Sequence, residues 1–518
     1  MRRPNVLILY TDQQRWDTIG YGGDAHYLGN PHIHTPNLNR LAAEGVLFAN
    51  AYCNNPVCMP SRQSMLSGRY PSTLGCTTNG IEMPEDVWTL PRILQSYGYQ
   101  TANVGKLHFK NHANRDHREP HPRYGFDTLI LSDEPGCYDD AYIKWVAQQD
   151  PSQVDACRVS TPPAWEGVPV VKQPRNTHEP YVFEGPEHLT HTAFVADQTI
   201  EVLKQRNPNR PFFAIAGFYA PHTPLNPPAR FVEMYDPQTL PLPHFDEAPS
   251  KVPWQGMDLA PEHWRKIKAY YYALISHVDD QVGRILRYLD ESGARDETLI
   301  LFTSDHGEHL GDHGLIQKGP PGLESCAHVP LIVAPPRGRR GEDARERTSA
   351  GKSGAAKLPG AGAGTGRVED AIIEAVDIAP TVLDLCGVQA PPFFQGRSFR
   401  SLLDVARIAV APGTAYAPGT AYAPRTSAYI EFKDPFNSSW KTVRVAGFKY
   451  TIHTDGRNFD PAANGAAELL FDLDEDPHAQ RNVAGDPAYA DALNAMRAEL
   501  LRRWFTVEDQ YPLRSGKY

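Results

Sequence analysis

The chain of 518 residues has no run of eighteen apolar residues, which excludes a helix that crosses a bilayer. Its start, Met1-Arg2-Arg3-Pro4-Asn5, leads into only five apolar positions. That is too few for a signal-peptide core, so the expected location is cytoplasmic, with no membrane partner. Cysteine is scarce: Cys53, Cys58, Cys76, Cys137, Cys157, Cys326 and Cys386 are odd in number and scattered. They lack the close pairs of a structural zinc site and the density of a disulfide scaffold, and reduced thiols are the default. An excess of basic charge is missing too. The formal net charge of -10 argues against nucleic acid as a partner, although a small anionic substrate needs only a local basic pocket.

What is present, 41% apolar residues over a length too great for one small core, predicts a large globular domain with a smaller appendage. Val6-Leu7-Ile8-Leu9-Tyr10 is a continuous apolar run ending in Thr11-Asp12-Gln13-Gln14. It predicts a buried central strand with polar groups at its carboxyl end, where open α/β sheets gather ligands. Thr35-Pro36-Asn37 predicts an N-cap with proline at the first helical position, a helix to about Glu44 and a stop at Gly45. Phe212 to Phe218 and Thr298 to Thr303 repeat the apolar strand and polar turn, followed by Ala220-Pro221-His222-Thr223-Pro224 and Ser304-Asp305-His306-Gly307. Between them Ile267, Tyr271, Leu274, Val278, Val282, Ile285 and Leu289 form the stripe of one long amphipathic helix. The class is α/β.

Residues 1–400 are expected to form the catalytic domain, with 335–367, rich in Gly, Arg, Lys and Ala, as a flexible insertion. Residues 401–425, which carry "APGTAY" twice, are expected to form a Pro/Gly-rich linker. Residues 426–518 then predict an α+β subdomain: short strands at Ser427 to Phe432, Trp440 to Val445, Phe448 to His453 and Glu468 to Phe471, and a helix from about Ala488 to Trp504.

Cys58-Met59-Pro60-Ser61-Arg62 fits a turn into a helix, with Pro60 in its first turn. A helix N-terminus favours negative charge beside the cysteine, and Arg62 adds a fixed cation. Taken alone, such a cysteine is more readily a buried inert thiol. Asp12 and Asp305-His306 end two strands, and carboxylates brought together from separate strands repel unless a cation joins them. Lys106 and His108, in "VGKLHF", follow another strand-like segment, Thr101 to Val104. They could hold an anionic ester and move its protons, or be two solvated surface residues. His309 and His313 are four apart but lack the His-Glu-x-x-His order, and Gly311 and Gly314 interrupt any helix there.

The Cys-x-Pro-Ser-Arg pattern with Leu66-Ser67-Gly68-Arg69 resembles the signature of the formylglycine-dependent sulfatases. "NVLILYTDQ", "TPNLNRLAAEGVLFANAY", "GKLH", "APHTP", "TSDHGE" and "VDIAPTVLDLCG" resemble further landmarks in that family's order. The resemblance implies the alkaline phosphatase superfamily fold, a mixed, mostly parallel sheet sandwiched by helices. It implies that a maturation enzyme oxidises Cys58 to formylglycine, and that Asp12, Gln13, residue 58, Asp305 and His306 hold one divalent metal. Sulfatases usually carry two adjacent aspartates and an Asp-Asn pair, an oxygen set suited to calcium. Gln13 and His306 depart from this, and an imidazole moves the preference towards manganese or another transition metal, leaving manganese or calcium as the expected ion.

The same Asp-Gln and Asp-His pairs, with "GEHLGDHGLIQK", look like the phosphonate monoester hydrolases, relatives that also use formylglycine. Lys106 and His108, however, match the sulfatase lysine and histidine. The expected activity is therefore hydrolysis of small sulfate monoesters, arylsulfatase-like, with phosphonate monoester or phosphodiester hydrolysis as the alternative. A sulfated-ligand binding protein that never receives the aldehyde is the alternative from another class. By the resemblance Cys58, Arg62, Lys106, His108, His222 and Lys318 are catalytic. Asn79, matched by its distance from Cys58, joins Lys106, His222 and Lys318 in binding substrate. Arg62 is expected on the sulfuryl oxygens, and the oligomeric state, a homo-oligomer included, is open.

Overall fold

The computed structural model describes residues 3–20, 29–111, 119–136, 140–158, 179–244, 259–338, 366–403, 424–433, 438–454 and 468–508. The expected insertion and linker lie almost wholly outside the described residues, as does Cys137.

Eight strands build the main sheet: β1 (Asn5–Asp12), β2 (Val46–Tyr52), β3 (Gln100–Gly105), β4 (Thr128–Leu131), β5 (Phe212–Pro221), β6 (Thr298–Ser304), β7 (Leu331–Ala334) and β8 (Arg367–Glu374). Their order is β4-β3-β5-β1-β6-β7-β2-β8. Only β7 runs against the others, pairing antiparallel with β6 and with β2. All eight residues of β1 are buried because it lies between β5 and β6 with both faces covered. Leu7 and Leu9 pack into the core on one face, with Ile267, Tyr271, Val278 and Ile285 of the long helix Pro261–Glu291. Val6, Ile8 and Tyr10 point the other way, towards Met65 and Leu66 and towards Ile378, Val382 and Leu383 of the helix Ile378–Leu385.

The helix α1 (Pro36–Glu44) forms as expected, but Thr35 does not cap it with its side chain. Thr35 Oγ1 instead accepts from the Gly20 amide at 2.8 Å and donates to Asn39 Oδ1. The orphan amides of Asn37 and Leu38 donate to the two carboxylate oxygens of Asp279, at 3.1 and 2.7 Å. A residue 240 positions away in the chain cannot be found by a local capping rule. Burial pushes the Asp279 carboxyl up to about 6, against the pull of those hydrogen bonds.

The C-terminal sheet has the order β12-β11-β10-β9, antiparallel throughout, from β9 (Ser427–Lys433), β10 (Ser439–Val445), β11 (Phe448–Thr454) and β12 (Glu468–Asp472). The helix Ala490–Glu508 packs on it. Buried charge joins this unit to the main sheet. Arg425 and Arg503 grip Glu374 and Asp377, which flank the end of β8. Among the described residues no helix is long and apolar enough to cross a membrane.

Candidate active site

Because β1, β3, β5 and β6 are parallel, their carboxyl ends share one edge of the sheet. The turns leaving them carry Asp12-Gln13, Lys106 to His108, His222 and Asp305-His306. Gly105 (φ 86°) bends the chain out of β3, and a Cβ there would meet the Gly217 carbonyl at 2.1 Å. That close approach carries Lys106 inward. Gln13 (φ 69°), His108 (φ 57°) and Gln317 (φ 67°) also hold the left-handed conformation, which is strained for such residues and clusters at functional sites.

The helix α2 (Cys58–Ser67) meets this edge with its N-terminus and is buried along its length. Val57 is extended before it, and Asn79 supplies its cap, Oδ1 accepting from the Met59 amide at 3.0 Å. Cys58 thus heads the helix, 1% exposed. Its Sγ is 3.2 Å from His306 Nε2, 3.7 Å from Asp12 Oδ1 and 2.9 Å from Lys318 Nζ, and His108 also bonds to it. Burial opposes a thiolate here, but Lys318, Lys106 and His306 outweigh it and hold the thiol well below its ordinary pKa.

Lys106 Nζ lies 2.5 Å from Asp12 Oδ2. Burial and the Cys58 charge both push the Asp12 carboxyl up, yet Lys106, His222 and Lys318 hold it below its ordinary range. Lys106 and His108 are both buried, so they are not solvated surface residues. Lys318 Nζ reaches His222 Nε2 at 2.7 Å, while His222 Nδ1 donates to the Thr223 carbonyl.

Arg62 sits beneath the site rather than in it, 1% exposed over the Tyr10 ring. Its Nε donates to Asp305 Oδ2 at 2.7 Å, and its other nitrogens donate to the carbonyls of Lys106 and Thr11. Three of its five N–H groups are thus engaged with Asp305 and two main-chain carbonyls.

The arrangement fits a divalent cation. Single ligand atoms of Asp12, Cys58, Asp305 and His306, all buried, lie within 4.8 Å of one another. His306 Nδ1 donates to the Gly307 carbonyl at 2.8 Å, which turns Nε2 towards Cys58. Burial disfavours charge on that ring, but Asp305 and Cys58 raise its pKa well above the usual value. Gln13 Nε2 is committed to Glu308 Oε2 at 2.5 Å, so Gln13 Oε1 is left buried without a hydrogen-bond partner. A buried acceptor with no donor is costly, and beside two carboxylates a cation satisfies it.

Two residues at the site escaped the sequence reading. Glu308, buried, accepts from Gln13 Nε2 and from the amides of Leu310 and Gln317, so it ties the first strand's turn to the loop carrying Lys318. Asp133 Oδ1 accepts from the Leu107 and His108 amides, both at 2.8 Å. "TSDHGE" held a signal for Glu308; Asp133 works through main-chain amides and leaves no motif. His309 and His313 stay outside the cluster: His309 Nδ1 meets Ser325 Oγ, and burial draws the two rings down to about 3 and about 4.

The fold is of the alkaline-phosphatase-like class, with a buried cluster that fits a metal and includes a cysteine at a helix start. The sulfatase family model matches residues 4–388, and the chain belongs to that family, the sulfuric ester hydrolases. It is 27% identical to an arylsulfatase of Clostridium perfringens over 98% of this chain and 96% of that one. It is 28% identical to the multifunctional alkaline phosphatase superfamily protein PehA of Trinickia caryophylli, over 95% and 93%. The crystal structure of a phosphonate monoester hydrolase of Agrobacterium radiobacter superposes with a TM-score of 0.74 at 25% identity, covering 97% of this chain and 96% of that one.

Proposed function

We propose that the protein hydrolyses sulfate monoesters of the aryl type, with residue 58 converted to formylglycine by a maturation enzyme. The observation that carries this reading is the convergence of Lys106, His108, His222 and Lys318 on Cys58 beside the Asp12, Asp305 and His306 cluster. As formylglycine, residue 58 supplies a hydrated aldehyde with one hydroxyl to attack sulfur and a second whose deprotonation expels sulfate. Asp12, Gln13, residue 58, Asp305 and His306 would hold a divalent cation, manganese or calcium, which would supply Lewis acidity at the attacking hydroxyl.

The remaining work falls to the chain's own side chains. Lys106 and Lys318 bind the sulfuryl oxygens and neutralise charge that grows as the ester bond breaks. His222 and Lys318, 2.7 Å apart, share the proton that the leaving oxygen takes up. His108, fixed by Asp133 through its main chain, takes the proton whose loss releases sulfate. Arg62 keeps Asp305 and the Lys106 turn in position, and Asn79, which caps α2 beside residue 58, joins Lys106, His222 and Lys318 in binding substrate.

Gln13 and His306 favour a second reading, a phosphonate monoester or phosphodiester hydrolase, because the site fits a tetrahedral ester of either element. The kcat/KM values of matured protein on 4-nitrophenyl sulfate and on a phenyl phosphonate ester, measured side by side, test the choice. A higher value on the sulfate is expected, and a dominant phosphonate activity would overturn it.

A further inference from the structure

The metal-fitting cluster contains a sulfur atom as the chain is encoded, and its geometry has a consequence for metal choice. Zinc bonds of about 2.0–2.3 Å to sulfur, nitrogen and oxygen in a tetrahedron place neighbouring ligands about 3.3–3.6 Å apart. Four of the six ligand pairs lie close to that range, and all six lie within 4.8 Å. Cys58 Sγ to His306 Nε2 is 3.2 Å, Cys58 Sγ to Asp12 Oδ1 is 3.7 Å, and His306 Nε2 lies 3.6 Å from Asp12 Oδ1 and 3.7 Å from Asp305 Oδ1. The supporting contacts exist as well: His306 Nδ1 is fixed by the Gly307 carbonyl, and Asp305 Oδ2 by Arg62.

We propose that the chain with unconverted cysteine at position 58 is itself a zinc protein, in which Cys58, His306, Asp12 and Asp305 close a tetrahedral thiolate site. Replacing that sulfur by oxygen on maturation removes the soft ligand and moves the preference to a harder ion. Thiolate with imidazole selects zinc, whereas carboxylate, amide and hydroxyl oxygens suit manganese or calcium at higher coordination number. Gln13 Oε1, buried and without a donor, is the oxygen such an ion recruits when four ligands no longer suffice. The unconverted fraction therefore keeps zinc and takes no part in turnover. This inference rests on the metal assignment of the proposed function and not on its reaction.

Cobalt(II) reports the ligand set directly. Full-length protein made without the maturation enzyme, stripped of metal and titrated with Co2+, should show the intense near-ultraviolet band of a cobalt thiolate together with visible bands of four-coordinate cobalt. Zn2+ should then abolish both. Cys58→Ser should keep cobalt but lose the near-ultraviolet band, and its preference for Zn2+ over Mn2+ should fall by about tenfold or more. His306→Ala should lose the four-coordinate visible bands, which guards against misfolding of the first variant. Cobalt bound without a thiolate band would overturn the proposal while leaving a metal in the proposed function. No cobalt bound by either the cysteine protein or Cys58→Ser would overturn both.

Discussion

Two of the clusters of buried charge in this molecule are built from nearly the same parts and differ in one respect. At the junction with the C-terminal sheet, Glu374 and Asp377 face Arg425 and Arg503, and all four carboxylate oxygens are satisfied. Glu374 accepts from Arg503 and the Tyr429 amide at 2.6 Å each, from Tyr70 Oη and from Arg425. Asp377 accepts from Arg425 twice and from the Arg397 and Glu374 amides. At the carboxyl edge of the main sheet Asp12 and Asp305 meet Lys106 and Arg62. There, however, Gln13 Oε1 lacks a donor, and Cys58, His306 and both aspartates offer atoms to one shared space. A closed hydrogen-bond ledger makes a joint. Open acceptors around one shared space make a candidate site.

Substitutions should separate the two. Cys58→Ala removes the nucleophile without a large core volume, so turnover should fall by about 10⁴-fold or more. The urea midpoint should stay near wild type. Glu374→Ala should do the reverse, because it leaves two buried arginines short of a partner. We expect a loss of about 3–5 kcal/mol in urea unfolding with kcat of the folded protein nearly unchanged.

Within the site, His108→Ala and His222→Ala should each cost about 10²–10⁴-fold, in different half-reactions. The first should give a burst of phenol, then a slow steady state with sulfate-modified residue 58. The second should slow poor leaving groups and spare activated nitrophenyl esters. If the burst appears in His222→Ala instead, the two roles must be exchanged.

The smallest effect is in pH. Burial raises the Glu374 carboxyl, but Arg425 and Arg503 outweigh it and lower its pKa from the ordinary 4.5. A depressed pKa means that its stabilisation is complete above pH 4.5 and is lost as the pH falls through the folded value. Unfolding midpoints should therefore drop more steeply below that pH in wild type than in Glu374→Gln.

The strand ends that carry Asp12, His222 and Asp305 were visible in the sequence, because fully buried parallel strands are continuous apolar runs closed by polar turns. So were the long helix and the four short C-terminal strands. The antiparallel run of β7 and the return of β8 to β2 were not, since pairing across the sheet has no local period. The Asp279 cap, the Glu308 clamp and the Asp133 support were hidden for a related reason: each is a side chain bonding to groups distant in sequence. Arg62 shows the limit of motif reading, which brought the residue to the site but not its partners beneath it.

The central claim is that residue 58, at the head of α2, acts as formylglycine. The mass of the tryptic peptide Leu41–Arg62 from catalytically active protein measures this directly. The aldehyde or its hydrate is expected at position 58, in a fraction that rises with specific activity across preparations. Full activity with unmodified cysteine throughout that peptide would contradict it.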